Sequence, residues 1–144
     1  NNNNNNNNPP KDSTYKDSST ILINGVKDSL NPATCSLSGG SSNFYTMTAY
    51  AIVNSTTYLQ ITTHFRPTVS DTFHVTFGQP VATNDIQIWL KIGGLYQYTA
   101  TSGTALVTVS TAVPPTGIKV SFSKLVLTRT GNPSDTTSAV LICQ

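Results

Sequence analysis

Residues 85–100 run Asp85-Ile86-Gln87-Ile88-Trp89-Leu90-Lys91-Ile92-Gly93-Gly94-Leu95-Tyr96-Gln97-Tyr98-Thr99-Ala100. Ile86, Ile88, Leu90 and Ile92 alternate with Gln87, Trp89 and Lys91, and that period of two places all four apolar residues on one side of a half-buried strand. Gly93-Gly94 can supply the positive φ angles of a two-residue hairpin turn, which predicts an antiparallel pair continuing into 95–100. With that turn, Trp89 sits opposite Tyr98 and Lys91 opposite Tyr96, on the face away from Ile88, Leu90 and Ile92.

The same alternation recurs in both directions along the chain. Upstream, Leu59, Ile61, Thr63 and Phe65 alternate with Tyr58, Gln60, Thr62 and His64, and Phe73, Val75 and Phe77 with Thr72, His74 and Thr76. Earlier still, Tyr45, Met47, Ala49, Ala51 and Val53 share one parity, and a short strand surrounds Cys35. Ile21-Leu22-Ile23 followed by Asn24-Gly25 and Val26 reads as a hairpin with a type I′ turn. Downstream come Ala105, Val107 and Val109, then Ile118, Val120 and Phe122, then Leu125 and Leu127 on the other parity. A change of parity inside one strand needs an extra residue, so a β-bulge is expected near Ser123-Lys124. Ala139 to Cys143 reads as a final strand buried on both faces. No stretch shows helical periodicity over three turns. The expectation is one all-β domain over 21–144, an antiparallel β-sandwich or flattened barrel of about ten short strands.

Composition narrows the function. The 144 residues hold 10% charged side chains, 8 of them basic and 6 acidic, for a net charge of +2. All the acids are Asp, and Thr, Ser and Asn make up more than a third of the chain. That balance gives no electrostatic footprint for nucleic acid or an anionic membrane. No apolar run approaches the roughly 18–20 residues of a membrane span.

Residues 1–20 are a different material. Eight Asn, two Pro and a repeated Lys-Asp-Ser unit offer little apolar surface, so this segment is expected to be a spacer or a docking tail. Asn side chains both donate and accept, so an extended run can bond along a neighbour's exposed strand edge. This leads to a protein partner or a homo-oligomer, engaged through the N-terminal tail and strand edges, with Ile21-Leu22-Ile23 extending the contact.

Cys35 and Cys143 lie in the first and last strand regions, which sandwiches bring together. A disulfide between them fits an oxidising, extracytoplasmic setting. It would close a loop of about 108 residues, worth roughly 4–5 kcal/mol in the chain-entropy model. The alternative is two unpaired buried thiols.

The order of features resembles a family of small secreted Bacteroidota lipoprotein domains of unknown function. The matching pieces are Ile21-Leu22-Ile23-Asn24-Gly25-Val26, the segment Tyr96-Gln97-Tyr98-Thr99-Ala100-Thr101-Ser102-Gly103-Thr104 with Val107-Thr108-Val109, and Lys119-Val120-Ser121-Phe122-Ser123. The resemblance covers about residues 19–144 and implies a bacterial cell-surface or extracellular location, associated with the outer membrane. It also implies a lipid anchor on a residue outside this chain. The triplets Asp12-Ser13-Thr14, Asp28-Ser29-Leu30 and Asp135-Thr136-Thr137 look like the O-glycosylation acceptors of that phylum, at Ser13, Ser29 and Thr136. Asn54-Ser55-Thr56 fits the N-glycosylation pattern.

Catalytic and metal chemistry find little support in the residues. If Phe65 faces Phe73 across a hairpin, His64 faces His74 on the outer surface, but two imidazoles fall short of the three or four ligands of a natural site. The Asp residues lie in or beside predicted turns or in the tail, away from any nucleophile motif. No enzyme activity and no cofactor is expected.

The remaining candidate is an interaction platform of Trp89, Lys91, Tyr96 and Tyr98. Flat aromatics with one wet edge suit a protein partner or a sugar. The alternatives are that this face meets a second sheet, or that the turn is longer and Tyr96 and Tyr98 point inward. The first functional reading is a non-catalytic surface or extracellular structural protein, an assembly subunit or accessory lipoprotein acting by protein–protein contact. The second is a glycan-binding module.

Overall fold

The computed structural model describes residues 19–31, 33–37, 43–94, 96–110, 117–129 and 135–143, the side chains of 96 and 135 excepted. Eleven strands form: β1 (Thr20–Ile23), β2 (Val26–Ser29), β3 (Thr34–Leu37), β4 (Tyr45–Tyr50), β5 (Tyr58–Thr63), β6 (Asp71–Val75), β7 (Asp85–Ile92), β8 (Tyr96–Ala100), β9 (Thr104–Val109), β10 (Ile118–Thr128) and β11 (Asp135–Cys143). No helix occurs among the described residues.

The strands join in one sheet of order β2-β1-β11-β10-β9-β6-β7-β5-β4-β3, with β8 linking β7 to β10. The two ends of that path meet. Leu30 bridges Ala51, the Asn31 N–H donates to the Tyr50 carbonyl, and the Ile52 N–H donates to the Ser29 carbonyl. Cys35 on β3 is bonded to Cys143 on β11, with Cα atoms 6.2 Å apart. The expected disulfide is therefore present, and its Cα separation lies inside the usual range of about 4.4–6.8 Å.

The result is an all-β flattened barrel, or equally a sandwich whose halves are continuous. Its lining is the predicted alternation: Met47, Ala49, Leu59, Ile61, Ile86, Ile88, Leu90, Val107, Val120, Leu127 and Leu141 are fully buried. β2 and β3 each have one ladder partner, β1 and β4, and the path closes through the single Leu30–Ala51 bridge and its two flanking hydrogen bonds. At the start of the fold, Ser19 is buried, and its hydroxyl accepts from the Ile142 N–H at 3.0 Å.

Local signals translate into the expected local structures. Asn24 and Gly25 take φ of 49° and 84°, the left-handed pair that a type I′ turn needs. The Asn24 Oδ1 also accepts from the Thr136 N–H at 2.9 Å, which pins the turn to β11. The bulge lies where the parity changes: the register of β10 against β11 shifts between Phe122 and Leu125, and Lys124 has φ of 53°. The Lys124 N–H, displaced from the ladder, donates instead to the Ser138 hydroxyl at 2.9 Å.

Several expectations need correction. The sheet is mixed rather than wholly antiparallel, because β6 runs parallel to β7 at His74↔Asp85 and Val75↔Ile86. Val53, Phe65 and Phe77 continue an inward parity in the sequence, yet all three are exposed, at 86%, 42% and 67%. Strands β4, β5 and β6 end at Tyr50, Thr63 and Val75, and beyond a strand end parity no longer dictates side-chain direction. In β11, both parities are buried only over 141–143, since Val140 remains half-exposed.

Candidate functional site

The turn after β7 decides the site. The ladder pairs Ile92 with Tyr96, Leu90 with Tyr98 and Trp89 with Thr99. Three residues, 93–95, therefore connect the strands instead of two, with Gly93 and Gly94 at φ of 63° and 73°. One added loop residue changes which side chains share a face. Tyr98 falls on the parity of Leu90, packs against the core, and carries the Arg129 guanidinium 5.9 Å from its ring centroid. Tyr96 falls on the parity of Ile92. The expected platform of Trp89, Lys91, Tyr96 and Tyr98 is thus divided: Trp89 and Lys91 face out, Tyr98 packs against the core, and the Tyr96 side chain lies outside the described residues.

Other strands supply what the tyrosines do not. β5 pairs with β7 so that Gln60 is opposite Trp89 and Tyr58 opposite Lys91. On its other side β5 pairs with β4, placing Thr48 beside Gln60 and Tyr50 beside Tyr58. Beyond β4, Thr34 of β3 continues the line next to Thr48, and Thr128 of β10 continues it next to Thr99.

Three rows cross the outer face. The central row is Thr34-Thr48-Gln60-Trp89-Thr99-Thr128. Above it lie Tyr50-Tyr58-Lys91-Gln97, and below it Ser36-Thr46-Thr62-Gln87. The inward partners Met47, Ala49, Leu59, Ile61, Ile88 and Leu90 are fully buried, which fixes the rows on the outside.

This face is polar, nearly uncharged and internally braced. The Gln60 amide donates to Thr48 Oγ1 at 3.4 Å, and the hydroxyls of Thr46 and Thr62 are 3.3 Å apart. Tyr50 and Tyr58 rings lie 5.3 Å apart, and the Lys91 ammonium sits 5.9 Å from the Tyr58 centroid. Lys91 is the one formal charge in the three rows. Trp89 is half-buried at their centre.

At the lower end the loop after β6 folds alongside the sheet. The Gln87 amide donates to the Phe77 carbonyl at 3.1 Å, and His64 Nδ1 donates to the Pro80 carbonyl at 3.0 Å. A carbonyl can only accept, so the Nδ1 nitrogen carries the proton. His64 is further held edge-on by Phe44 and Phe65, with centroids 5.7 Å and 4.1 Å away. Exposed Phe65, Phe77 and Val81 line this end, and exposed Ile52 and Val53 follow Tyr50 at the other. The polar floor therefore has an apolar rim.

The proposed facing pair His64 and His74 does not form. β5 is bordered by β4 and β7, while β6 is bordered by β9 and β7, so the two strands never meet. His74 is instead exposed, opposite Thr104. No group of three or more potential metal ligands occurs among the described residues.

The acceptor positions Ser29 and Thr136 are exposed, and Ser13, like the tail before Ser19, lies outside the described residues. Strands β2 and β3 end the sheet path, with Lys27 and Asp28 placing charge on the β2 end. On the opposite wall, Leu22, Lys27, Phe122, Ser138 and Val140 line a shallow depression beside the bulge.

Sequence reasoning missed Tyr50, Tyr58, Gln60 and the threonine rows. Their outward parity was readable in each strand, but the neighbours that bring them to Trp89 were not. Compared with protein-family models, with curated proteins and with solved structures, the chain matches none.

Proposed function

We propose that this protein is a non-catalytic interaction module of a cell surface or the extracellular space, an assembly subunit or accessory surface protein. Its contact is made by the outer face of β4, β5, β7 and β8. One observation carries the reading: half-exposed Trp89 sits at the centre of three ordered rows of hydroxyl, amide and phenol groups with a single formal charge. Such a face offers directional hydrogen bonds and flat apolar area together, which is the chemistry of recognition. The disulfide and the Thr/Ser-rich, Glu-free composition support a location in an oxidising compartment.

The test is retention of the labelled protein on intact cells and on their envelope fraction. Wild type should be retained, and Trp89→Ala and Gln60→Ala should each reduce retention several-fold without changing the far-UV spectrum. Equal retention of all three proteins would remove this face from the function.

A further inference from the structure

We infer that the ligand of this face is an uncharged polysaccharide chain, lying along the row Thr34-Thr48-Gln60-Trp89-Thr99-Thr128. The inference rests on the interaction-module reading and names its partner class.

Charge is the first argument. Over three rows Lys91 is the sole formal charge, and no carboxylate stands among them. A polyanion would gain from one cation only, and a basic partner would find nothing to pair with. A neutral ligand brings no charge of its own to this face, and Lys91 keeps the Tyr58 ring beside it.

The distribution of polarity is the second argument. A protein–protein interface has an apolar centre and a polar rim. Here a lone Trp89 is ringed by threonine hydroxyls and glutamine amides on the floor, while the exposed apolar side chains Ile52, Val53, Phe65, Phe77 and Val81 stand at the two ends. A protein partner laid on this floor would have to desolvate many hydroxyls for little apolar gain. A sugar chain has the complementary form. Its hydroxyls exchange hydrogen bonds with Gln60 and the threonines, and the C–H face of one ring stacks on the Trp89 indole.

Spacing is the third argument. Neighbouring strands lie about 4.8 Å apart, so equivalent hydroxyl and amide groups repeat across the sheet at close to the length of one pyranose unit. The six-residue row spans about 24 Å on that spacing, enough for several consecutive rings. Lys91, with its ammonium 5.9 Å from the Tyr58 ring, stands in the adjoining row and would donate to ring or hydroxyl oxygens.

Trp89 is the single tryptophan of the chain, so it reports on its own site. The experiment titrates the purified protein with arabinoxylan, mixed-linkage β-glucan, amylopectin and galactomannan. It follows tryptophan emission and mobility in polysaccharide-containing native gels. At least one polymer should shift the emission and retard the protein. Trp89→Ala should weaken retardation at least tenfold, Trp89→Phe should restore part of it, and Gln60→Ala should weaken it several-fold with an unchanged thermal midpoint.

Retardation unaltered by these variants would overturn the inference, as would an absence of any shift with all four polymers. Periodate treatment of the envelope fraction separates this inference from the broader reading. Face-dependent retention that survives periodate but not protease overturns the polysaccharide and leaves the interaction module standing. Retention independent of the face overturns both.

Discussion

The Tyr45 hydroxyl lies 3.2 Å from Cys143 Sγ, on the bridge that ties β11 to Cys35 of β3. A disulfide sulfur has no proton, so the phenol donates. This contact sits where the ends of the sheet path close on each other, and the bridge spans 108 residues of sequence. Replacing both cysteines (Cys35→Ala with Cys143→Ala) should therefore cost about 2–5 kcal/mol. Urea denaturation of the double variant against the oxidised wild type checks this, and reduction of the wild type should reproduce the shift.

Burial pushes the Tyr45 phenol above its ordinary value of 10.0, and the Arg66 guanidinium beside it pulls it part of the way back. The raised value means that the folded chain keeps this proton after the unfolded chain has lost it. Tyr45 thus contributes stability that is complete below about pH 10 and is lost as pH rises from there through the folded value. Urea midpoints should fall between pH 9 and pH 11, and Tyr45→Phe should flatten that slope. The 295 nm absorbance difference between wild type and Tyr45→Phe should place the Tyr45 phenol above its ordinary value.

Gly103 has φ of 124°, and a Cβ placed there would run into Leu125 Cδ2. Leu125 is itself buried, just past the bulge, and has little room to yield. Gly103→Ala should destabilise the fold by about 1–3 kcal/mol, through backbone strain and overpacking. Gly78 has open space and no left-handed φ, so Gly78→Ala should stay within about 0.5 kcal/mol of wild type. Guanidinium denaturation of the two variants side by side reads the difference.

Thr137 is fully buried on β11, and its hydroxyl has no hydrogen-bond partner among the described residues. A desolvated hydroxyl without a partner weakens the fold, and valine has nearly the same shape. Thr137→Val should raise stability by about 1 kcal/mol, seen as a higher thermal midpoint with an unchanged fold. A lower midpoint would show that the hydroxyl is satisfied in solution.

The strand pattern, the Asn24-Gly25 turn and the bulge at Lys124 were all legible in the sequence because each is decided within a few residues. Alternation assigns a face to each side chain, Asn-Gly accepts left-handed φ, and a parity change inside one strand requires an inserted residue. The Cys35–Cys143 bridge was expected because sandwiches bring first and last strand regions together, but Cys35 lies on β3, and β1 is the strand that pairs with β11.

The candidate site was legible only in part. Trp89 and Lys91 lie on the outer face as their alternation with Ile88, Leu90 and Ile92 implied, whereas Tyr98 was lost to the other parity. A loop of three residues rather than two after Ile92 makes that difference, and Gly93-Gly94 is compatible with either length. Likewise, the sequence order β5, β6 suggested a hairpin that would join His64 to His74. In the fold, β7 takes the place beside β5, and β6 crosses to β9.

By itself, then, the sequence determined that this chain is all β, where its bulge and the Asn24-Gly25 turn fall, and which side of most strands is wet, β8 excepted. Tertiary structure decided which wet sides stand together: Tyr50 and Tyr58 meet across the consecutive strands β4 and β5, but Gln60 meets Trp89 only because β5 pairs with β7 and not with β6. The physical reason is one of range. Side-chain alternation and turn chemistry act between adjacent residues, while strand pairing is chosen by how the whole apolar set closes around a single core.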